Sequence, residues 1–147
     1  MLRIKKRRLN NSFENLNLSD LKNERQLICQ YGLKNKKEIR IAQYMLRQVR
    51  SVFRNYLSQS VIYNQVLQKC VNLGLLSQSE TVEQLSAQSF LKRRLQTIVS
   101  KKFGLKPLQA RQVITHGNIV VQGKVKRFPG YLIRVSTEDN ILLKKDL

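Results

Sequence analysis

Acidic residues are scarce in this chain of 147 residues: nine Asp and Glu stand against 28 Lys and Arg, and the formal net charge is +19. Histidine occurs once, cysteine and proline twice each, and tryptophan not at all. Each shortage excludes something. His116 with Cys29 and Cys70, which share no short spacing, cannot supply the four ligands of a structural zinc site. Two unpaired thiols fit a reducing compartment, where both are expected to act as small buried hydrophobes. Paired carboxylates for acid–base work could come only from Glu80 and Glu83 or from Glu138 and Asp139, each pair near a loop or helix start where acids cap or stay solvated. There is no Gly-rich phosphate loop and no Ser-centred elbow. An enzyme is therefore not expected, and no cofactor or metal is called for. No apolar run approaches the roughly 20 residues of a membrane span, and no apolar stretch follows the basic opening Met1–Asn10 to make a secretory signal.

What is abundant is positive charge. A domain of this size usually carries a net charge of roughly 2 to 8. The excess repels itself unless a polyanion is near: a nucleic acid, an anionic membrane surface or an acidic protein. Apolar residues make up 41% of the chain, enough for a lean core. Residues 1–18 read as a basic arm, with Lys5 and Arg7 among five cations in the first eight positions. It is either a solvated tail or a segment that orders against nucleic acid.

Helices are expected over 20–31 (capped by Ser19, closed by Gly32), 36–57, 60–73 (closed by Gly74), 87–102 (capped by Ser86) and 107–116, which Pro107 opens and Gly117 closes. In the second, Asn35 and Glu38 suggest a capping box, and Ala42, Met45, Val49, Val52 and Tyr56 form an apolar stripe. Strands follow at 118–121, 124–127 and 131–135, with Ile141–Leu143 as a last one; Gln122-Gly123 and Pro129-Gly130 mark turns. The expected fold class is α+β: the basic arm (1–18), a helical domain (19–86), and a small C-terminal domain (87–147) of two helices packed on a short antiparallel sheet.

Two charge patterns point to phosphate. Arg47, Arg50 and Arg54 recur on one face of the second helix, and no acid intervenes between Glu38 and Glu80. From Gln84 to Thr137 there is again no acid, while Lys and Arg number eleven. Arg93, Arg94, Lys106, Arg111, Lys124 and Arg127 fall on two helix ends and a hairpin. Packed together, they would line one surface that reads phosphate positions and fits structured RNA by shape. The amides at a helix start would add to it. A basic amphipathic membrane helix would need apolar anchors that the core already uses.

The strings Phe90-Leu-Lys-Arg-Arg-Leu-Gln-Thr97, Gln109-Ala-Arg-Gln-Val-Ile-Thr-His-Gly-Asn-Ile-Val-Val-Gln-Gly123 and Phe128-Pro-Gly-Tyr131 resemble the RNA-binding domain of the family of ribosomal protein four of the small subunit. Glu24-Arg-Gln-Leu, Tyr31-Gly-Leu-Lys-Asn-Lys-Lys-Glu-Ile39 and Val66–Leu76 resemble its archaeal and eukaryotic branch, so the likeness covers roughly 24–141.

The resemblance implies a structural constituent of the small subunit that binds small-subunit ribosomal RNA at a multi-helix junction and supports assembly. It also implies neighbouring small-subunit ribosomal proteins, messenger RNA where it enters the subunit, no membrane, and a cytoplasmic place on the ribosome (nucleolar during assembly in a eukaryote). By position, Arg93 and Arg94 match the basic pair opening the domain, Gln109, Arg111 and Gln112 the second-helix contacts, and His116 with Gly117 its end. Lys101, Lys124, Lys126 and Arg127 complete the expected RNA-binding set with Lys106, Arg47, Arg50, Arg54, Lys5 and Arg7. Departures are Lys106-Pro107 in place of a small hydroxyl cap, Gln122 in place of Asp or Asn, a short arm and a chain that stops soon after the sheet. The alternative is a nucleolar relative that chaperones precursor ribosomal RNA.

Overall fold

The computed structural model describes residues 18–55, 60–77 and 82–144. The basic arm with Lys5 and Arg7 lies outside the described residues but for its last position, as do Tyr56 and Glu80. Helix α1 (Leu18–Tyr31) begins one residue before Ser19, the expected cap, and packs Leu27, Ile28 and Tyr31 inward. Gly32 ends it at φ +58°, a left-handed closing position that a Cβ disfavours. An added Cβ would also lie 2.7 Å from Pro107 Cβ and 2.9 Å from Gln96 Nε2. The bare glycine is what lets the end of α1 rest on the C-terminal half of the chain. Cys29 is exposed rather than buried. It stands two residues from both Leu27 and Tyr31, about 200° round the helix from each.

Helix α2 (Lys36–Asn55) turns Ile39, Ala42, Met45, Leu46, Val49 and Phe53 into a core shared with α1, with α3 (Ser60–Asn72) and with Phe90 and Leu91. The expected stripe runs through Val52; the observed one steps four residues from Val49 to Phe53, whose ring meets Tyr63 edge to face at 4.8 Å. Val66, Cys70 and Leu73 close this first core, and burial pushes the Cys70 thiol pKa up.

The helix expected over 87–102 is two helices, α4 (Ala87–Lys92) and α5 (Leu95–Lys102). Ser86 caps α4, its Oγ accepting from Ser89 N–H at 3.3 Å. At Arg94 the backbone is extended (φ −70°, ψ 144°) and bridges antiparallel to Leu132. Ile133 N–H donates to Arg93 O at 3.1 Å, and Leu95 N–H to Tyr131 O at 2.7 Å. The segment expected as a strand over 131–135 supplies this one bridge and then a 3-10 turn, Val135–Thr137. Periodicity could not reveal the break because both sides of it are apolar for different reasons. Phe90 and Leu91 enter the first core; Leu95, Ile98 and Val99 enter a second.

The second core is completed by α6 (Pro107–Thr115) and by an antiparallel sheet of strand order β2–β1–β3. In it β1 (Ile119–Val121) lies between β2 (Lys124–Val125) and β3 (Ile141–Leu143), with Val120 opposite both Val125 and Leu142. Ala110, Ile114, Ile119, Ile133 and Ile141 are fully enclosed there. At the tip of the β1–β2 hairpin, Gln122 and Gly123 both have positive φ, 50° and 72°, as a type I′ turn requires. Asn tolerates that conformation better than Gln. Gln122→Asn is therefore expected to stabilise the fold by about 0.5 kcal/mol, read as a higher urea midpoint with an unchanged m value.

Candidate nucleic-acid interface

A single carboxylate organises the interior polar contacts. Glu38, in the first turn of α2, accepts from Arg94 Nη2 on Oε2 at 2.7 Å and from Arg111 Nη2 on Oε1 at 2.8 Å. The expected capping role of the Glu38 side chain is replaced by these two ion pairs. Gln96, 1% exposed, lies beside them. Its Nε2 donates to the carbonyls of Tyr31 (3.2 Å), Gly32 (2.8 Å) and Pro107 (2.9 Å), and its Oε1 accepts from Arg111 Nη1 at 3.3 Å. Burial alone would raise the Glu38 pKa. Hydrogen bonds from Arg111 and Arg94, together with their charges, outweigh it and hold the carboxyl below its ordinary value.

This network turns part of the expected RNA-facing set inward. Arg94, 8% exposed, is inside the protein, and Arg111 is half-buried on the same carboxylate. Arg93 is half-buried as well: Nη1 donates to Glu138 at 2.8 Å and Nη2 to Ile133 O at 3.1 Å. Arg50 leaves the α2 arginine stripe, donating to the carbonyls of Glu83 (3.3 Å) and Leu85 (2.8 Å). Arg47 and Arg54 are exposed, with no acidic partner among the described residues. The amides at the start of α5 are also taken. Leu95 N–H goes to Tyr131 O, Gln96 N–H to Pro129 O, and those of Thr97 and Ile98 to Arg94 O. Phosphate does not find them free.

Most of the remaining residues of the C-terminal half face solvent. Lys101, Lys106, Gln109, Gln112, His116, Lys124 and Arg127 are exposed and Lys126 is half-buried. Gln109, Gln112 and His116 follow one another at spacings of three and four along the outer side of α6. Gln109 also caps the helix. Its Oε1 accepts from Lys106 N–H at 3.2 Å, the reciprocal half of a capping box; Lys106 itself has no side-chain oxygen with which to cap the first amides. At the N-terminal end of α6, Lys92 and Lys101 line a cleft of about 270 Å³ beside Tyr31 and Pro107. At its C-terminal end His116, Lys126, Arg127 and Lys144 line a groove of about 480 Å³ with Phe128 and Tyr131. Nine helical residues separate the two by about 13 Å. The described residues hold no cluster of three or more His, Cys, Asp or Glu that could bind a metal, and no helix among them is long and apolar enough to cross a membrane.

The sequence points to a capping role for Glu38 rather than to its place in the interior network, and does not single out Gln96. Glu38 is the only acid between Glu24 and Glu80, and its isolation in a basic stretch was the available signal. Gln96 sits inside the Arg-Arg-Leu-Gln-Thr string but was not separated from its neighbours.

Residues 93–139 match the S4 domain family. The chain is 39% identical over 132 residues to small ribosomal subunit protein uS4 of Sulfolobus acidocaldarius, covering 83% of this chain and 75% of that one. It is 40% identical over 119 residues to uS4 of Korarchaeum cryptofilum (76% and 72%), and 43% identical over 129 residues to uS4 of Saccharolobus solfataricus (80% and 71%).

Removing the Glu38 charge leaves two inward guanidinium groups without a counter-ion. Glu38→Gln is expected to cost about 2–4 kcal/mol, somewhat less than a fully enclosed pair because the groups are partly solvated. The pH dependence has a definite sign. The folded pKa of Glu38 lies below its unfolded value, so the stabilisation is complete above the ordinary carboxylate range and is lost as pH falls through the folded pKa. Denaturation midpoints of the wild type and Glu38→Gln should therefore differ most near neutrality and converge in acid. A constant gap would refute the assignment.

Proposed function

Because the chain belongs to the uS4 family of small ribosomal subunit proteins, we propose that it is built into the small subunit as a structural component that holds folded ribosomal RNA at a junction of several helices. The observation that carries this reading is the outer side of α6, polar along its length, flanked by a cationic recess at each end, and set in an acid-free stretch of sequence.

The physical mechanism is charge cancellation on a rigid support. Helices α5 and α6 and the sheet share one core, so Lys101, Lys106, Lys124 and Arg127 are carried at fixed separations. Phosphates brought close where RNA helices converge repel one another, and cations at matching positions lower that repulsion most in the converged geometry. Gln109, Gln112 and His116 offer hydrogen bonds to sugars and phosphates between the two ends. Arg47 and Arg54 give α2 a second cationic strip for the same RNA or for an adjoining helix. Arg93, Arg94 and Arg111 act one step back by holding the two cores together. Support of subunit assembly, contacts with neighbouring ribosomal proteins and a place where messenger RNA enters belong to the same proposal and follow from the family.

If about six phosphates are engaged, log affinity for small-subunit ribosomal RNA should fall with log salt with a slope of about 4 to 5. The triple substitution Lys101→Gln, Lys106→Gln, Arg127→Gln should reduce that slope by about 2 and leave the urea midpoint nearly unchanged. Filter binding across a salt series measures both, and an unaltered slope rejects this surface. Co-sedimentation with mature small subunits separates a resident component from a chaperone of precursor RNA.

A further inference from the structure

The groove at the C-terminal end of α6 combines two features that phosphate binding alone leaves unexplained. Phe128 is 76% exposed and Val125 48%, in a chain with few aromatic residues. Phe128 belongs to neither core. Its ring is not on a slack loop. Phe128 and Tyr131 close a turn in which Tyr131 N–H donates to Phe128 O at 3.1 Å. The inner side of that turn is fastened to α5 through Pro129 O (from Gln96 N–H, 3.2 Å) and Tyr131 O (from Leu95 N–H, 2.7 Å). The guanidinium of Arg94 lies under Gly130, where an added Cβ would come within 3.5 Å of Nη2. An apolar ring is thus held out into water by backbone hydrogen bonds.

Cations surround that ring. The Arg127 side chain lies across Gly117, where an added Cβ would meet Nε at 2.9 Å; this places the guanidinium at the C-terminus of α6. Lys126 Nζ sits 4.9 Å from the centre of the Tyr131 ring, which engages Tyr131 and leaves Phe128 open. Among the described residues no carboxylate pairs with Lys126, Arg127 or Lys144. A folded protein docking here would strip water from these charges and would have to bring its own acids among its apolar groups. A nucleotide carries both complements in one unit: a planar ring for Phe128 and a phosphate for Arg127 or Lys144.

We propose that this groove seats one unstacked nucleotide of RNA, its base against the Phe128 ring and its phosphates on Arg127 and Lys144. The inference rests on the RNA-binding reading and deepens it, adding recognition of a single-stranded base beside duplex phosphates. Base–aromatic stacking tolerates any base, so the site selects for an unpaired nucleotide rather than for a sequence. The anchored turn keeps the ordering entropy of the ring low on binding.

The test uses the full chain, transcribed small-subunit ribosomal RNA and a short mixed-sequence single-stranded RNA. Phe128→Ala and Phe128→Leu are expected to weaken binding of both by about fivefold or more while leaving the salt slope intact. Phe128→Tyr, which keeps a ring, should bind as the wild type does. Irradiation of the same RNAs carrying 5-iodouridine should cross-link to the peptide containing Phe128. Wild-type affinity in Phe128→Leu, or cross-links only elsewhere, overturns the stacked nucleotide and leaves the phosphate surface standing. If Phe128→Ala binds RNA normally but enters subunits poorly, the occupant is a protein and the proposal fails. A wild-type chain that binds neither RNA overturns the broader reading together with this one.

Discussion

One carboxylate facing two arginines holds the molecule in its working shape. Glu38 lies on α2, while Arg94 and Arg111 come from positions 56 and 73 residues further along the chain. Two guanidinium groups turned inward would be costly in a protein that already carries a large positive excess, and no other acid reaches them among the described residues. Gln96 reinforces the joint with neutral hydrogen bonds to the end of α1 and the start of α6. The bare backbone at Gly32 allows the close approach. The helical layer and the sheet-bearing unit are therefore tied by polar contacts of high directionality, with apolar cores on either side.

This arrangement divides the basic residues into two groups with different physical roles. Among the described residues three acids form ion pairs: Glu38 with Arg94 and Arg111, Glu138 with Arg93, and Glu24 with Lys36. The outer side of α6 and the hairpin are left without acids, so their field is uncompensated. A basic protein must limit its own repulsion while presenting charge to RNA, and segregating its carboxylates accomplishes both. The interior arginines are engaged in ion pairs, while Lys101, Lys106, Lys124 and Arg127 are exposed.

The break between α4 and α5 serves the same end. By leaving the helix at Arg93–Arg94, the chain pairs with Leu132, turns both arginines toward acids, and offers the first amides of α5 to Pro129 and Tyr131. Those hydrogen bonds are also what stiffen the Phe128–Tyr131 turn. A continuous helix would have left the turn without that support. The backbone amides that the start of α5 could lend to phosphate are used for internal architecture.

The family strings, the acid-free stretch, the caps at Ser86 and Pro107, the closing glycines and the apolar periodicities of α1, α2 and α6 were all legible in the sequence. Each depends on residues within a turn or two of one another, or on composition alone. What tertiary structure decided was which cations face inward. Arg93, Arg94 and Arg111 are indistinguishable in sequence from Lys101, Lys106 and Arg127 as positive charges in one acid-free stretch. Their fates diverge because Glu38 and Glu138 approach from far along the chain, and the choice of ion-pair partner is a matter of three-dimensional proximity that no local pattern encodes. The same reason hid the break at Arg94, whose bridge partner Leu132 is brought opposite it only when the second core closes.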